Sequence, residues 1–295
     1  MASLRLSGIC KAYGERRVLD DVGFEINQGR MTGFVGGNGA GKTTTMRILL
    51  GVLQADAGEI TIDGRPLKTS DRRRFGYMPE ERGLYPKMKV RDQLIYLARL
   101  QGWTADAAGK NAEDLIERLG LTERADDAVE KLSLGNQQRA QIAAALVHQP
   151  DVLVLDEPFS GLDPMAVDVV QSVLTDHAAH GVPVLFSSHQ LDIVERLCDD
   201  LVIIAAGRIR AAGGRDQLRS EYTDPTWELV AATTDWVAAW VGARGTVVPT
   251  TEGVSVQADE QTRHLLLSEA VLRGEVSAWR PIQPSLAEIF REVVA

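Results

Sequence analysis

The chain has 295 residues, 44% of them hydrophobic and 25% charged, with 32 Lys and Arg against 41 Asp and Glu for a formal net charge of −9. These are globular proportions, so a disordered or fibrous chain is excluded, and at about 150 residues per domain the length suggests two domains. The acidic balance repels polyphosphate, which argues against non-specific DNA or RNA binding.

The first stretch, Met1–Ala12, is broken by Arg5 and Lys11 and does not read as a signal peptide. Val18–Ile26 alternates as a half-buried strand does. Met31–Val35 is a short apolar run ending in Gly36-Gly37, and a helix pattern follows over Lys42–Val52. Residues 90–120 read as helical, with Leu94, Leu97, Ala98, Leu115, Ile116 and Leu119 at spacings of three and four and with Gly102, Gly109 and Gly120 as punctuation. Val152–Leu155, Val184–Phe186 and Leu201–Ile204 are continuous apolar runs, as strands buried on both faces of a parallel sheet require. Helical patterns at 164–180 and 190–198 lie between them, which predicts a doubly wound α/β layer. Turn-rich sequence follows near 213–225. The remainder then runs strand (Trp227–Ala231), helix (Thr234–Val241), strand (Gly245–Thr250), strand (Val254–Ala258), helix (Glu260–Arg273), strand (Val276–Trp279), helix (Ser285–Val294). That order predicts a small ferredoxin-like α+β unit. Ser285 and Glu288 fit a capping box for the last helix. No apolar run approaches the about 20 residues of a spanning helix. Cys10 and Cys198 lie far apart without metal-ligand spacing, which points to two free thiols in a reducing cytosol.

Gly36-Gly37-Asn38-Gly39-Ala40-Gly41-Lys42-Thr43 matches the phosphate-binding loop pattern in the context that supports it, after a strand and before a helix. Glycines let backbone N–H groups converge on phosphate oxygens, and the helix N-terminus adds positive partial charge. Lys42 would reach the β- and γ-phosphates, and the Thr43 hydroxyl would ligate Mg²⁺. Asp156 and Glu157 close the buried run Leu153-Val154-Leu155. Asp156 suits a Walker B aspartate holding Mg²⁺ through water, and Glu157 suits a general base for an attacking water. Alone, the loop could be a Gly-rich surface turn and the carboxylates a solvated strand end; together they predict an ATPase.

Five motifs in order now carry a resemblance: the phosphate loop, Leu132-Ser133-Leu134-Gly135-Asn136-Gln137-Gln138-Arg139, Asp156-Glu157, Ser160-Gly161-Leu162-Asp163, and Ser187-Ser188-His189. The chain resembles the ATP-binding subunit of an ABC transporter. The likeness covers about residues 3–215, with a helical subdomain at about 86–148; residues 216–295 are similar to the C-terminal extension of some ABC-2-type exporter ATPases. The fold implied is an α/β P-loop NTPase with a helical subdomain, followed by a small α+β accessory or regulatory domain. ATP and Mg²⁺ are the implied ligands. Tyr13 would stack on adenine, while Gly36, Asn38, Gly39, Ala40, Gly41, Lys42, Thr43 and Thr44 hold phosphate. Ser133 and Gly135, with Gln137 beside them, would stand at the start of a helix over Asn136–His148 and contact ATP bound to a second ATPase subunit, expected to be an identical chain. Asp163 would touch that subunit's phosphate loop. His189 would contact the γ-phosphate and fix the attacking water with Glu157. As residues alone, Leu-Ser-Leu-Gly is no more than a helix cap and Tyr13 an ordinary strand-end tyrosine.

Two positions depart from the common family form. Leu134 and Asn136 replace Gly and Gln, while Ser133 and Gly135 are kept. Glu80, in Tyr77-Met78-Pro79-Glu80, stands where a metal-binding Gln is usual, and would be a harder, charged ligand for Mg²⁺. The following loop, residues 80–86, is implied to face a multi-spanning permease, with Leu84 and Tyr85 as a docking patch. Arg72-Arg73-Arg74 reads as a solvated helix face, with anionic lipid as the other reading. The function implied is an exporter's ATPase, cytoplasmic and held at the inner face of the plasma membrane through the permease, without nucleic-acid partners. Among alternatives, a chromosome-maintenance ATPase would need a long coiled-coil insert, a ribosome-acting one would need two ATPase units, and sugar importers often carry barrel-like tails.

Overall fold

The computed structural model describes residues 3–81, 83–221, 226–282 and 285–294; Arg82 of the expected docking loop and residues 222–225 of the turn-rich stretch lie outside the described residues. The chain divides into two compact units, one ending at Arg215 and one running from Asp216 to Val293.

The first unit opens with two long antiparallel strands, β1 (Leu4–Tyr13) and β2 (Arg16–Ile26). The fully buried β3 (Met31–Val35) leads through the glycine loop into α1 (Lys42–Leu49). β4 (Ala57–Ile62) and the short β5 (Arg65–Pro66) complete a four-stranded sheet ordered β2-β1-β4-β5. After α2 (Thr69–Arg72) and β6 (Phe75–Met78) come three helices, α3 (Val90–Leu100), α4 (Ala105–Arg118) and α5 (Leu134–Leu146). Then β7 (Val152–Leu155), α6 (Pro164–Ala179), β8 (Val184–Ser188), α7 (Leu191–Leu197), β9 (Asp200–Ala205) and β10 (Arg208–Gly214) complete a six-stranded sheet ordered β10-β9-β3-β8-β7-β6. Its strands are parallel except β10, the antiparallel edge. One core joins the two sheets through α1: Leu4, Leu6, Ile9 and Phe24 meet Phe34, Met46, Leu49, Val154 and Val202. The parallel strands carry no outward polar alternation because both faces are covered.

Several local expectations change. Helix α1 stops at Leu49 rather than Val52, because Gly51 turns the chain at φ 73°. Gly102 and Gly120 punctuate the helical region at φ 90° and 64°, but Gly109 lies inside α4. Its intrinsic cost, about 1 kcal/mol, is outweighed by burial of Ala108, Ala112, Leu115 and Ile116 along that helix. The arginine run is not a single solvated face. Arg72 donates to the Leu49 carbonyl at 2.8 Å, closing the end of α1, whereas Arg73 is exposed and Arg74, also exposed, pairs with Asp151 at 2.6 Å.

The second unit begins within α8 (Arg215–Glu221) and contains β11 (Thr226–Ala231), α9 (Val237–Val241), β12 (Gly245–Pro249), β13 (Val254–Ala258), α10 (Glu260–Arg273), β14 (Val276–Ile282) and α11 (Leu286–Val294). The antiparallel sheet is ordered β12-β13-β11-β14, the strand order of a ferredoxin-like βαββαβ unit. Pro249 and Pro281 lie on its two outer strands. One sheet face and the helices enclose Leu229, Val237, Val241, Val256 and Leu266. Leu229 is fully buried at the centre, so Leu229→Ala is expected to cost this unit about 2–5 kcal/mol, read as an earlier transition in denaturant-induced unfolding. Ser285 and Glu288 form the reciprocal cap of α11, with Glu288 N donating to Ser285 Oγ at 3.3 Å and Ser285 N to Glu288 Oε2 at 2.8 Å. The Ser285 N–H and the Ser285 hydroxyl, which donates to the same Oε2 at 3.0 Å, hold the Glu288 carboxyl below its usual range. Among the described residues no helix is long and apolar enough to cross a membrane. Cys10 and Cys198 are free, and burial pushes the Cys198 thiol up to about 12.

Candidate active site

The glycine loop owes its shape to two crowded positions. A Cβ on Gly36 would lie 2.5 Å from the Ile204 carbonyl, and Gly41 takes φ 116° with Leu19 packed beneath it. Gly37 has open space around it, so packing does not demand glycine there. Gly41 precedes α1 without a side-chain cap, and the first turn of α1 holds no acidic residue. Its leading N–H groups therefore form an anion site for which no side chain of the helix's own first turn competes. Lys42 is 8% exposed, and its ammonium donates to the Gly36 carbonyl at 2.7 Å.

Asp156, at the end of β7, is almost fully buried. One of its oxygens accepts the Thr43 hydroxyl at 2.9 Å and the other accepts the Ser187 hydroxyl at 2.6 Å. Ser187 Oγ in turn accepts the N–H of Glu157 at 2.8 Å. Glu157 sits at φ 53°, a strained region for a non-glycine residue. A second device holds that turn: Gln138 of α5 donates to the carbonyls of Glu157 and Pro158 at 2.9 and 3.0 Å. The outcome is a carboxylate within 2.9 Å of His189 Nδ1. Nearby, burial and the charge of Asp156 push the Tyr77 phenol up, while Arg47 acts in the opposite direction.

A cleft of about 630 Å³ brings together Tyr13, Gly37–Thr44, Glu80, Asp156 and Glu157. This is room for a nucleotide-sized ligand. Tyr13 is 53% exposed at its rim. The other expected contacts lie outside the cleft. Ser133 caps α5, which starts at Leu134 rather than Asn136, and its hydroxyl accepts Asn136 N at 3.3 Å. Asp163 caps α6, accepting Ala166 N at 2.9 Å. Gln137 donates to the Leu132 carbonyl at 3.0 Å. The backbone at Gly135 lies beside the Gly161–Leu162 turn, so the two caps share one neighbourhood. In the 80–86 loop, Tyr85 is half-exposed, its ring edge-on to Tyr96 at 6.3 Å, and its N–H donates to buried Gln93 at 2.6 Å.

Sequence reading missed Ser187, Gln138 and Gln141 as site-building residues. The available signal was polarity at buried positions: Ser187 ends an apolar strand, and the two glutamines lie three apart in a helix otherwise rich in Ala, Ile and Leu. Ser187→Ala leaves Asp156 and the Glu157 N–H each short of a partner, a loss of about 1–3 kcal/mol expected in chemical denaturation, with a lower rate of ATP turnover.

The ABC transporter family model matches residues 19–160. An ABC transporter ATP-binding protein of Bacillus subtilis (strain 168) is 37% identical over 295 residues, 99% of this chain and 98% of its own length, so the likeness runs through the second unit. Nod factor export ATP-binding protein I of Burkholderia orbicola (strain AU 1054) is 39% identical over 216 residues, 72% of this chain and 71% of its own. The solved structure of an ATP-binding subunit of an ABC transporter matches with TM-score 0.69 at 32% identity, covering 74% of this chain and 92% of that one. ABC ATP-binding subunits work as dimers with a membrane permease. This chain belongs to the ABC transporter family as an ATP-binding, ATP-hydrolysing subunit.

Proposed function

We propose that this subunit drives export through a separate permease, with Glu157 and His189 as its catalytic pair. The observation that carries the chemistry is the 2.9 Å contact between His189 Nδ1 and the carboxylate of Glu157, which lines the cleft with the phosphate loop. Export is supported by the likeness to a Nod factor export ATP-binding protein. Gly36, Asn38, Gly39, Ala40, Gly41, Lys42, Thr43 and Thr44 form the phosphate cradle, with Tyr13 under adenine. The Thr43 hydroxyl and the Asp156 carboxylate, hard oxygen ligands already 2.9 Å apart, fit Mg²⁺, and Glu80 lines the same cleft. Charge neutralisation at the β- and γ-phosphate oxygens is what the ion supplies when bound.

Glu157 takes the proton of the attacking water, whose oxygen bonds to the γ-phosphorus as the bond to ADP breaks. His189, 2.9 Å from the Glu157 carboxylate, contacts the γ-phosphate and fixes the attacking water together with Glu157. Ser133, Gly135, Gln137 and Asp163 of a second, identical chain complete the site from opposite, using a helix start as an anion contact a second time. ATP then joins two subunits, and hydrolysis removes the shared contact, a ligand-biased two-state device. The 80–86 loop, with Leu84 and half-exposed Tyr85, meets the permease at the cytoplasmic face of the plasma membrane. Residues 1–215 form the ATPase domain and residues 216–295 an accessory or regulatory domain.

The test is capture of tagged Glu157→Gln protein from detergent-solubilised native membranes, with and without Mg-ATP, read by mass spectrometry. An ATP-stabilised complex with a multi-spanning exporter permease is expected. Recovery with ribosomes, nucleic acid or an importer's permease overturns the proposal.

A further inference from the structure

Helix α5 carries a second inward-facing amide besides Gln138. Gln141 is 4% exposed, and its Nε2 donates to the carbonyl of Pro79 at 2.9 Å and to that of Glu81 at 3.0 Å. Both amide protons are thus engaged by the residues flanking Glu80. Chemistry sets the orientation of the amide, since its oxygen could not face two carbonyl oxygens. Neighbouring Ala140, Ile142 and Ala143 are all buried and apolar, so the desolvation of a glutamine here is offset through those two bonds. The segment they hold is well placed for chemistry. It follows the end of β6, where Asp156 N donates to the Met78 carbonyl at 2.8 Å, and Glu80 lines the cleft with Thr43 and Asp156.

We infer that Gln141 is a positioning residue for Glu80. It fastens the segment around Glu80 to the helix that Ser133 caps, and so holds the Glu80 carboxylate at the metal side of the cleft. Gln138 fastens the Glu157 turn to the same helix. The i, i+3 pair therefore makes α5 a common mount for Glu80, Glu157 and the phosphate-facing helix start, and a displacement of α5 reaches all three together. This inference rests on the reading of the cleft as a Mg-ATP site.

The test measures binding, not turnover. Isothermal titration calorimetry gives the affinity of the full chain for a hydrolysis-resistant ATP analogue in Mg²⁺ and in EDTA; the ratio is the metal-dependent tightening. Gln141→Met keeps side-chain volume and removes the donor. It is expected to leave the EDTA affinity near wild type and to shrink the tightening about tenfold, the usual lower bound for loss of a group that orients a ligand. Added to Glu80→Ala, the same substitution is expected to cause little further loss, since it acts through Glu80. Gln141→Asn, too short to span both carbonyls, provides a second variant that keeps the site polar, and the same direction is expected of it. An unchanged tightening in the folded variants, or an equal further loss without Glu80, overturns the inference. A wild-type chain that binds no nucleotide in either buffer overturns the reading of the cleft instead.

Discussion

Glu157→Gln is expected to lower the rate of ATP hydrolysis about a hundredfold to ten-thousandfold, the range for removing a positioned general base, while leaving ATP affinity essentially intact. The substitution is nearly isosteric. The backbone turn at φ 53° is held by Ser187 and Gln138 through main-chain atoms, which the change does not touch. The amide oxygen can still accept from His189, but it cannot take a proton from water. Loss of turnover with retained binding is the signature of an interaction made in the transition state. Phosphate release and calorimetric binding on the same preparation separate the two quantities. ATP-dependent dimers of the variant should also persist in size-exclusion chromatography with Mg-ATP. Wild-type turnover by the variant would remove Glu157 from the mechanism.

Lys42→Ala is expected to act on the other quantity. Hydrogen bonds to charged groups contribute about 1.5–3 kcal/mol, so ATP affinity should fall about tenfold to more than a hundredfold. The Lys42 ammonium is largely buried and already bonded to the Gly36 carbonyl, within the loop that would wrap the phosphates. It needs no long side-chain search to reach a ligand, which limits the ordering cost of contact. Lys42→Arg is expected to fail in the same direction, because a planar guanidinium does not fit the space of a compact ammonium. Titration with a fluorescent ATP analogue, followed by displacement with ATP, checks both. Affinity within a factor of about two of wild type, well under the tenfold of one charged hydrogen bond, would show that the loop holds phosphate without the lysine.

Features with a local signature were legible from residue order. Val152–Leu155 is apolar throughout because both sheet faces are covered, and the glycine loop announces itself because a phosphate cradle tolerates few residue types. The βαββαβ order of the second unit followed from alternating patterns of suitable length. What escaped was non-local. β1, β4 and β5 pair across stretches of up to about sixty residues, and nothing in their own sequences states that register. Gly109 shows tertiary packing overriding propensity. The roles of Ser187, Gln138 and Gln141 depend on bonds spanning 19 to 62 positions, which no spacing rule connects. The candidate chemistry could be named from motifs, but the parts that aim it could not.

Pro249 and Pro281 sit on the two margins of the second unit's sheet, and its inner strands carry none. A margin strand displays unpaired backbone groups on which a passing chain can nucleate, and proline, lacking an N–H, interrupts that template. Arg280 next to Pro281 adds charge at one margin, tied to Glu228 and Glu252. The open sheet is thereby blunted against runaway polymerisation on both sides, so a strand of another chain finds no uninterrupted ladder on either margin.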